Sequence, residues 1–360
     1  MEWQDLVMIG IGLLFIFLAI NRKYEPALLL PLGFGAILMN LPGDQANTGI
    51  IHWLYDVGIH RSEAMPFLLF IGIGAMIDFT PLLQNPVLAL FGLVSQAGIF
   101  IIYKISMLLG FSANDAASIG IIGAADGPTA ILVSRRLNSQ FSGQIAVAAY
   151  SYIALVPIIQ PIVARIFTSK NERKIRQEVK PVQTGTKNTN LLKILFPIAM
   201  TVVSGIVAPE SAQLTGCLMF GNLLRECGVV EKMADTARTT LTNLVTLLLG
   251  LSVSFTLQSK NFIQLETLMI LGLGLAAFVF DIASGIVFVK LINLFKKKKM
   301  NPLIGSAGIS AFPISSHVAQ TIALKEDNTN IILMQATAAN VSGQIFSAVI
   351  GGVMIAMVGR

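Results

Sequence analysis

Cysteine, histidine and charge are scarce in this 360-residue sequence. The two cysteines, Cys217 and Cys227, lie ten residues apart in apolar surroundings, which excludes a disulfide framework. The three histidines, His52, His60 and His317, are scattered and form no zinc pattern with the cysteines, so no metal enzyme is indicated. Only 12% of residues are charged, too few to cover a soluble domain of this length. No aromatic residues interleave the basic stretches, so nucleic acid binding has no support.

What fills the chain instead is grease. Hydrophobic residues make up 54%, and the mean hydropathy is +0.74. Apolar stretches recur at 5–20, 26–42, 66–82, 87–109, 115–134, 142–168, 191–209, 211–228, 239–259, 264–295, 302–323 and 330–358. Each approaches the roughly 20 residues a helix needs to cross a bilayer. The reading is an all-α, multi-pass membrane protein of about 10–12 helical elements, because the runs lack the short alternation of barrel strands. The first run is trailed by "NRKYEP" without a small-residue cleavage site and reads as a retained span.

The net charge of +6 gathers in "SKNERKIRQEVKPVQTGTKNTN" at 169–190 and "KKKK" at 296–299, which places both on the cytoplasmic side. Such a face also attracts an acidic partner or anionic lipid. The 169–190 stretch is polar and divides the chain into an N-terminal span and turn (1–25), a first membrane repeat (26–168), a basic linker (169–190) and a second membrane repeat (191–360). "IGIIGAADGP" at 119–128 and "IGSAGISAFP" at 304–313 share the form I-G-x-x-G-x-x-x-x-P. Downstream, "AVAAYSYIALVP" from Ala146 answers "ATAANVSGQIFS" from Ala336, setting Tyr150 opposite Asn340; upstream, "FIGIGAMIDF" at 70–79 loosely answers "CLMFGNLLRE" at 217–226. Three matches in one order predict an internal repeat, and a Gly/Pro-interrupted segment in each half is the mark of a transporter site at the repeat interface. A kinked helix whose glycines only allow close packing is the plainer alternative.

Asp126 tips that choice. A carboxylate at the bilayer centre costs roughly 2.5–3.5 kcal/mol on insertion scales, so it is expected to face the protein interior beside a partner. The apolar runs offer few fixed cations, Lys104 and Arg165 being near segment ends, which makes a mobile cation the simpler partner. For Na⁺, a hard ion, the interrupted segments and their downstream helices supply Asp126, the hydroxyls of Thr129 and Ser310, the amide oxygens of Asn301 and Asn340, and freed carbonyls. Asp281, in the middle of its run, competes as an ion or proton site, whereas Asp78 ends a helix and is expected to be solvated.

"AASIGIIGAADGPTAI", "AVAAYSYIALVPIIQP", "LMFGNLLRECGVVE", "KMNPLIGSAGISAFP" and "ANVSGQIFSAVIGG" together resemble the membrane-embedded β subunit of the sodium-pumping, biotin-dependent decarboxylases of oxaloacetate, methylmalonyl-CoA, glutaconyl-CoA or malonate. The resemblance implies an inner-membrane subunit that takes carboxybiotin from a separate carrier, releases CO₂ with uptake of a proton, and exports Na⁺. It also implies a biotin carrier protein, a carboxyltransferase subunit, a small one-span membrane subunit and a homo-oligomer as partners. On the resemblance Asp126 is the main sodium carboxylate, Asn301, Gly305, Ser310 and Asn340 line the ion and proton path, and Tyr152 is a proton-handling hydroxyl. Two departures stand out: His317 occupies the place of an arginine usual in the family, and Ala338-Ala339 replaces a Gly-Pro ahead of Asn340. No Ala-Met-Lys-Met biotin-attachment sequence occurs. If 115–134 and 302–323 re-enter rather than cross, ten spans remain, the termini lie outside, and the halves are inverted. The reading from another class is a sodium- or proton-coupled transporter without biotin chemistry.

Overall fold

The computed structural model describes residues 2–43, 49–177 and 187–359, and these contain helices and connecting turns but no strand. Among the described residues five helices are long and apolar enough to cross a membrane: Trp3–Arg22, Pro86–Leu108, Ser142–Phe167, Leu265–Phe295 and Leu333–Val358. Pro26–Met39, Ala64–Met76 and Leu191–Val207 are apolar but shorter. Apolar run length therefore overstates helix length. At about 1.5 Å per residue the 31 residues of Leu265–Phe295 reach about 46 Å, while the 13 of Ala64–Met76 reach about 20 Å, less than the hydrocarbon thickness.

Burial is distributed as a bilayer requires. Leu6, Leu13, Leu14, Phe17 and Ile20 on the first helix are exposed, while Asp126, Asp281, Asn301, Asn340, Gln344 and Ser347 are buried. A soluble protein sorts these residue types the other way. The largest apolar cluster joins the interrupted segments to Ser142–Phe167, Leu265–Phe295 and Leu333–Val358; a second packs Trp3–Arg22, Pro26–Met39 and Thr242–Ser254 against them.

Backbones approach closely where the two halves meet. A Cβ on Gly74 of Ala64–Met76 would lie 1.9 Å from the Leu218 carbonyl oxygen, and one on Gly221 of Ala212–Glu226 would lie 1.9 Å from that of Ile71. The contact is reciprocal, each glycine sitting on the carbonyl three residues before the other. Such glycine-mediated packing is how membrane helices gain contact without a hydrophobic drive.

Of the basic linker, residues 178–186 lie outside the described residues. Its first part is an ordered strap. Ser169 and Glu172 form a capping box on the short Lys170–Arg173 helix. The Arg173 side chain donates to the Thr168 carbonyl at 2.6 Å and pairs with Glu326 at 2.8 Å. The strap thereby ties the end of Ser142–Phe167 to the end of Ile314–Glu326.

Candidate functional site

Two helices are broken in the middle of the fold. The first runs as Ala113–Gly120, continues as a 3-10 turn over Ile121–Ala124, and resumes as Gly127–Arg136. Ala125 between them adopts φ 51°, a left-handed conformation costly for a residue with a Cβ, and Asp126 is extended. Asp126 then caps the second segment, with Pro128 in its first turn, where no donor is missed. The second break separates Leu303–Ser306 from Ile314–Glu326.

The breaks touch. Ser310 donates to the Ala124 carbonyl from its backbone N–H at 3.1 Å and from its hydroxyl at 2.5 Å. Asn340 donates to the Ile309 carbonyl at 2.6 Å, and its own Oδ1 is buried without a hydrogen-bond partner. A Cβ on Gly343, one turn further along, would lie 2.1 Å from the Gly308 carbonyl oxygen, so the Leu333–Val358 helix lies flat on the second break.

Asp126 is 3% exposed, and its carboxylate accepts from four donors: Thr129 Oγ1 at 2.7 Å, Thr129 N at 3.4 Å, Ser347 Oγ at 2.6 Å and Gln344 Nε2 at 3.2 Å. No ion pair reaches it among the described residues. A buried carboxylate with hydroxyl and amide donors but no cation is partly compensated and still attractive to a positive ion. Gln344 and Ser347 were not singled out from sequence. Their signal was present, because Asn340, Gln344 and Ser347 stand at i, i+4 and i+7 on one face of an otherwise apolar helix.

The other expected residues fall in different places. Asn301 donates to the Arg173 and Ile175 carbonyls, each at 2.9 Å, and accepts from Leu303 N at 3.0 Å, so its polar groups hold the strap. Gly305 faces the long Leu265–Phe295 helix, where a Cβ would lie 2.1 Å from the Gly285 carbonyl oxygen. Tyr152 donates to the Leu271 carbonyl and stacks on Phe278 with ring centroids 6.3 Å apart. Tyr150 packs its ring against Gly127, next to Asp126, and its buried hydroxyl has no partner. His317 is exposed on Ile314–Glu326, and no hydrogen bond or ion pair engages its ring among the described residues.

Asp281, the rival acid, is fully buried. Its Oδ1 accepts from Gly98 N at 2.5 Å, at the start of Ala97–Leu108, and its Oδ2 lies against Gly123 without a hydrogen-bond partner. Asp115 is buried too, but it is saturated by Ser112 Oγ at 2.6 Å, Ser139 Oγ at 2.7 Å and Gln140 N at 3.2 Å. Asp78 is half-exposed and lies 3.6 Å from Arg225, as expected for a solvated helix end.

Broken helices meeting at a buried carboxylate with no ion-pair partner among the described residues fit an integral membrane protein of the ion-handling class. The model of the Na⁺-transporting oxaloacetate decarboxylase beta subunit family matches residues 4–358. The chain is 43% identical over 359 residues to the glutaconyl-CoA decarboxylase subunit beta of Acidaminococcus fermentans, covering 99% of this chain and 94% of that one. It is 44% identical over 352 residues to the methylmalonyl-CoA decarboxylase subunit beta of Veillonella parvula, covering 98% and 92%. It is 40% identical over 420 aligned residues to the probable oxaloacetate decarboxylase beta chain of Vibrio cholerae, covering 99% and 95%. The chain belongs to this family of β subunits of Na⁺-transporting decarboxylases. It is a multi-pass inner-membrane protein and the membrane subunit of a decarboxylase-coupled sodium pump. The reading as a transporter without decarboxylation finds no support in these comparisons.

Proposed function

We propose that the pumped Na⁺ is held where the two broken helices meet, with the Asp126 carboxylate as its principal ligand. The observation that carries this is the buried carboxylate that accepts from four donors and has no basic side chain in ion-pair reach among the described residues. The hydroxyls of Thr129, Ser347 and Ser310 each keep lone pairs for an ion, and the unpartnered Asn340 Oδ1 adds a neutral oxygen. Asn301 and Gly305 act on the site by holding the second broken helix in place.

The coupled reaction is loss of CO₂ from carboxybiotin borne by a separate carrier. The N–C bond breaks, its electron pair stays on the ureido nitrogen, and a proton is taken up there. No metal and no covalent nucleophile is required, only a site that strips water from the carboxylate and delivers a proton. The relatives are named for three different acids at 40–44% identity, which supports a membrane chain handling only what they share, carboxybiotin and Na⁺. Tyr152 and Ser310 remain hydroxyls for the proton route. Tyr150, unpartnered and against Gly127, stands closer to Asp126 by its contacts. Arrival of Na⁺ beside a hydroxyl lowers its proton affinity, which links the two movements.

The two halves are read as inverted repeats, 26–168 and 191–360, on either side of the 169–190 linker. The reciprocal contact of Gly74 and Gly221, which stand at matching positions of the upstream segments, supports this. So does the packing of the breaks. Gly120 and Gly305 each lie on the long helix of their own half, against Ile99 and Gly285, while Gly123 and Gly308 each face a polar side chain of the other half, Asp281 and Ser95. Re-entry of both broken helices, from opposite faces, fits alternating access. The implied partners are a biotin carrier protein, a carboxyltransferase subunit, a small one-span membrane subunit and further copies of this chain.

Sodium-stimulated decarboxylation of free carboxybiotin by the purified membrane complex tests the reading. Turnover that rises with Na⁺ supports it, and turnover indifferent to Na⁺ overturns it.

A further inference from the structure

The second break is spanned by a side chain from the first half of the chain. Gln160 sits on Ser142–Phe167 between Pro157 and Pro161, neither of which gives a backbone donor to the turn before it. Its side chain is fully buried. The amide nitrogen donates to the Ser306 carbonyl at 3.2 Å, the Ser306 hydroxyl at 3.0 Å and the Ser315 carbonyl at 3.0 Å. Ser306 is the last residue of Leu303–Ser306 and Ser315 the second of Ile314–Glu326, so one amide bridges the two flanks of the break.

The amide is poorly matched to a role in packing. Its NH₂ has two protons and faces three oxygens, while its Oε1 is buried without a hydrogen-bond partner among the described residues. A half-satisfied amide costs stability in an apolar interior, where a leucine would fill about the same space. The carbonyls it holds do not depend on it alone. That of Ser306 also accepts from the Ser315 hydroxyl at 3.4 Å, and that of Ser315 stands inside a helix, where the ladder supplies a donor. The Ser142–Phe167 helix thus reaches both breaks. Tyr150 lies against Gly127 of the first, and Gln160, about 15 Å further along at 1.5 Å per residue, grips the second.

We propose that Gln160 is a positioning residue for the ion site. By tying Ser306 to Ser315 it sets the course of residues 307–313, and so places Ser310 on the Ala124 carbonyl, two residues before Asp126. The inference rests on the reading that Na⁺ binds at Asp126, and adds a residue that acts on that site through Ser310 without touching the ion.

The test is a set of single and double variants of the purified complex, read by the Na⁺ concentration for half activation of free-carboxybiotin decarboxylation. Gln160→Leu is expected to raise it about threefold, as Ser310→Ala does, with thermal stability unchanged or higher, because an unsatisfied carbonyl is lost together with the donors. A residue that only held the fold would do the reverse, lowering stability and leaving sodium activation alone. Gln160→Leu with Ser310→Ala is expected to stay at about threefold, because both act at one contact, whereas Gln160→Leu with Gln344→Leu, which reaches the carboxylate directly, should multiply to about thirtyfold. A Ser310 double variant shifted about ninefold, as independent sites would give, overturns the proposal. So does unchanged sodium activation in Gln160→Leu. An arm independent of turnover follows labelling of Ser310→Cys by a small methanethiosulfonate in a Cys217→Ser, Cys227→Ser background. Gln160→Leu should speed that labelling about threefold or more by loosening the loop, and equal rates overturn the proposal. If Asp126→Asn leaves sodium activation unchanged, the ion-site reading fails, and the labelling rates still decide whether Gln160 positions the loop.

Discussion

The two broken helices differ most in what fills the break. In the first, only Ala125 and Asp126 separate the 3-10 turn from the next segment, and the carboxylate folds back to cap that segment through Thr129. In the second, residues 307–313 separate the segments, no acid is present, and the loop is held from outside by Asn340 and from across by the Ala124 carbonyl. One break carries the charge on a short, capped turn. The other presents carbonyls and a hydroxyl on a longer loop pinned by neighbours. If Asp126 holds the ion as proposed, the two segments divide the work, binding strength in one and positioning in the other. A site shared in this way changes when either helix moves, as a pump that releases its ion must arrange.

The largest effect should come from disturbing the close packing common to both breaks. Gly305→Val sets side-chain atoms against the Gly285 carbonyl and Gly120→Val against that of Ile99, so folded protein recovered in detergent should fall tenfold or more for each. Normal recovery of one and loss of the other would show that only one break depends on its long helix.

Next in size are the donors to Asp126. Ser347→Ala and Gln344→Leu should each raise the Na⁺ concentration for half activation about tenfold, the equivalent of about 1.4 kcal/mol, at the low end for a hydrogen bond to a charged group. Ser310→Ala should shift it about threefold, since Ser310 reaches the Ala124 carbonyl and not the carboxylate. A larger shift for Ser310→Ala than for Ser347→Ala would reverse the division of work between the breaks.

Asn301→Ala removes the donor that, beside Asn330, grips the Arg173 and Ile175 carbonyls. Thermal stability should drop by about 2–4 °C while Na⁺ activation moves less than threefold. If activation instead moves as far as in Ser347→Ala, Asn301 belongs to the ion path and not to the strap. The smallest effect is expected at His317. Its ring is exposed, so His317→Gln should leave the pH profile of Na⁺ activation superimposable on the wild type between about pH 5.5 and 7.5.

Much of this was legible in the sequence. Asp126 was marked by its cost in an apolar run, and the matching I-G-x-x-G-x-x-x-x-P segments gave the breaks that the structure brings into contact through Ser310 and Ala124. Gln344 and Ser347 escaped because a serine or glutamine on a membrane helix is ordinarily a packing residue, and only the fold shows which face meets a carboxylate. Asn301 was read as an ion ligand because an amide oxygen beside a broken helix suits Na⁺. Its partners, Arg173 and Ile175, lie 128 and 126 residues away, beyond any local pattern. Helix lengths were the poorest reading, because hydropathy counts turn residues and broken segments as if they were continuous.

The central claim concerns which buried acid binds the ion, and the two carboxylates make the decisive pair. Asp281 receives Gly98 N and rests on Gly123, fastening three elements together, whereas Asp126 receives only side-chain hydroxyls, an amide and one distant N–H. Sodium activation of carboxybiotin decarboxylation should therefore be measured in Asp126→Asn and Asp281→Asn complexes of verified fold. The account predicts that Asp126→Asn loses Na⁺-stimulated turnover by a hundredfold or more and that Asp281→Asn keeps the wild-type sodium dependence; an Asp126→Asn complex still activated by Na⁺ at wild-type concentrations would contradict it.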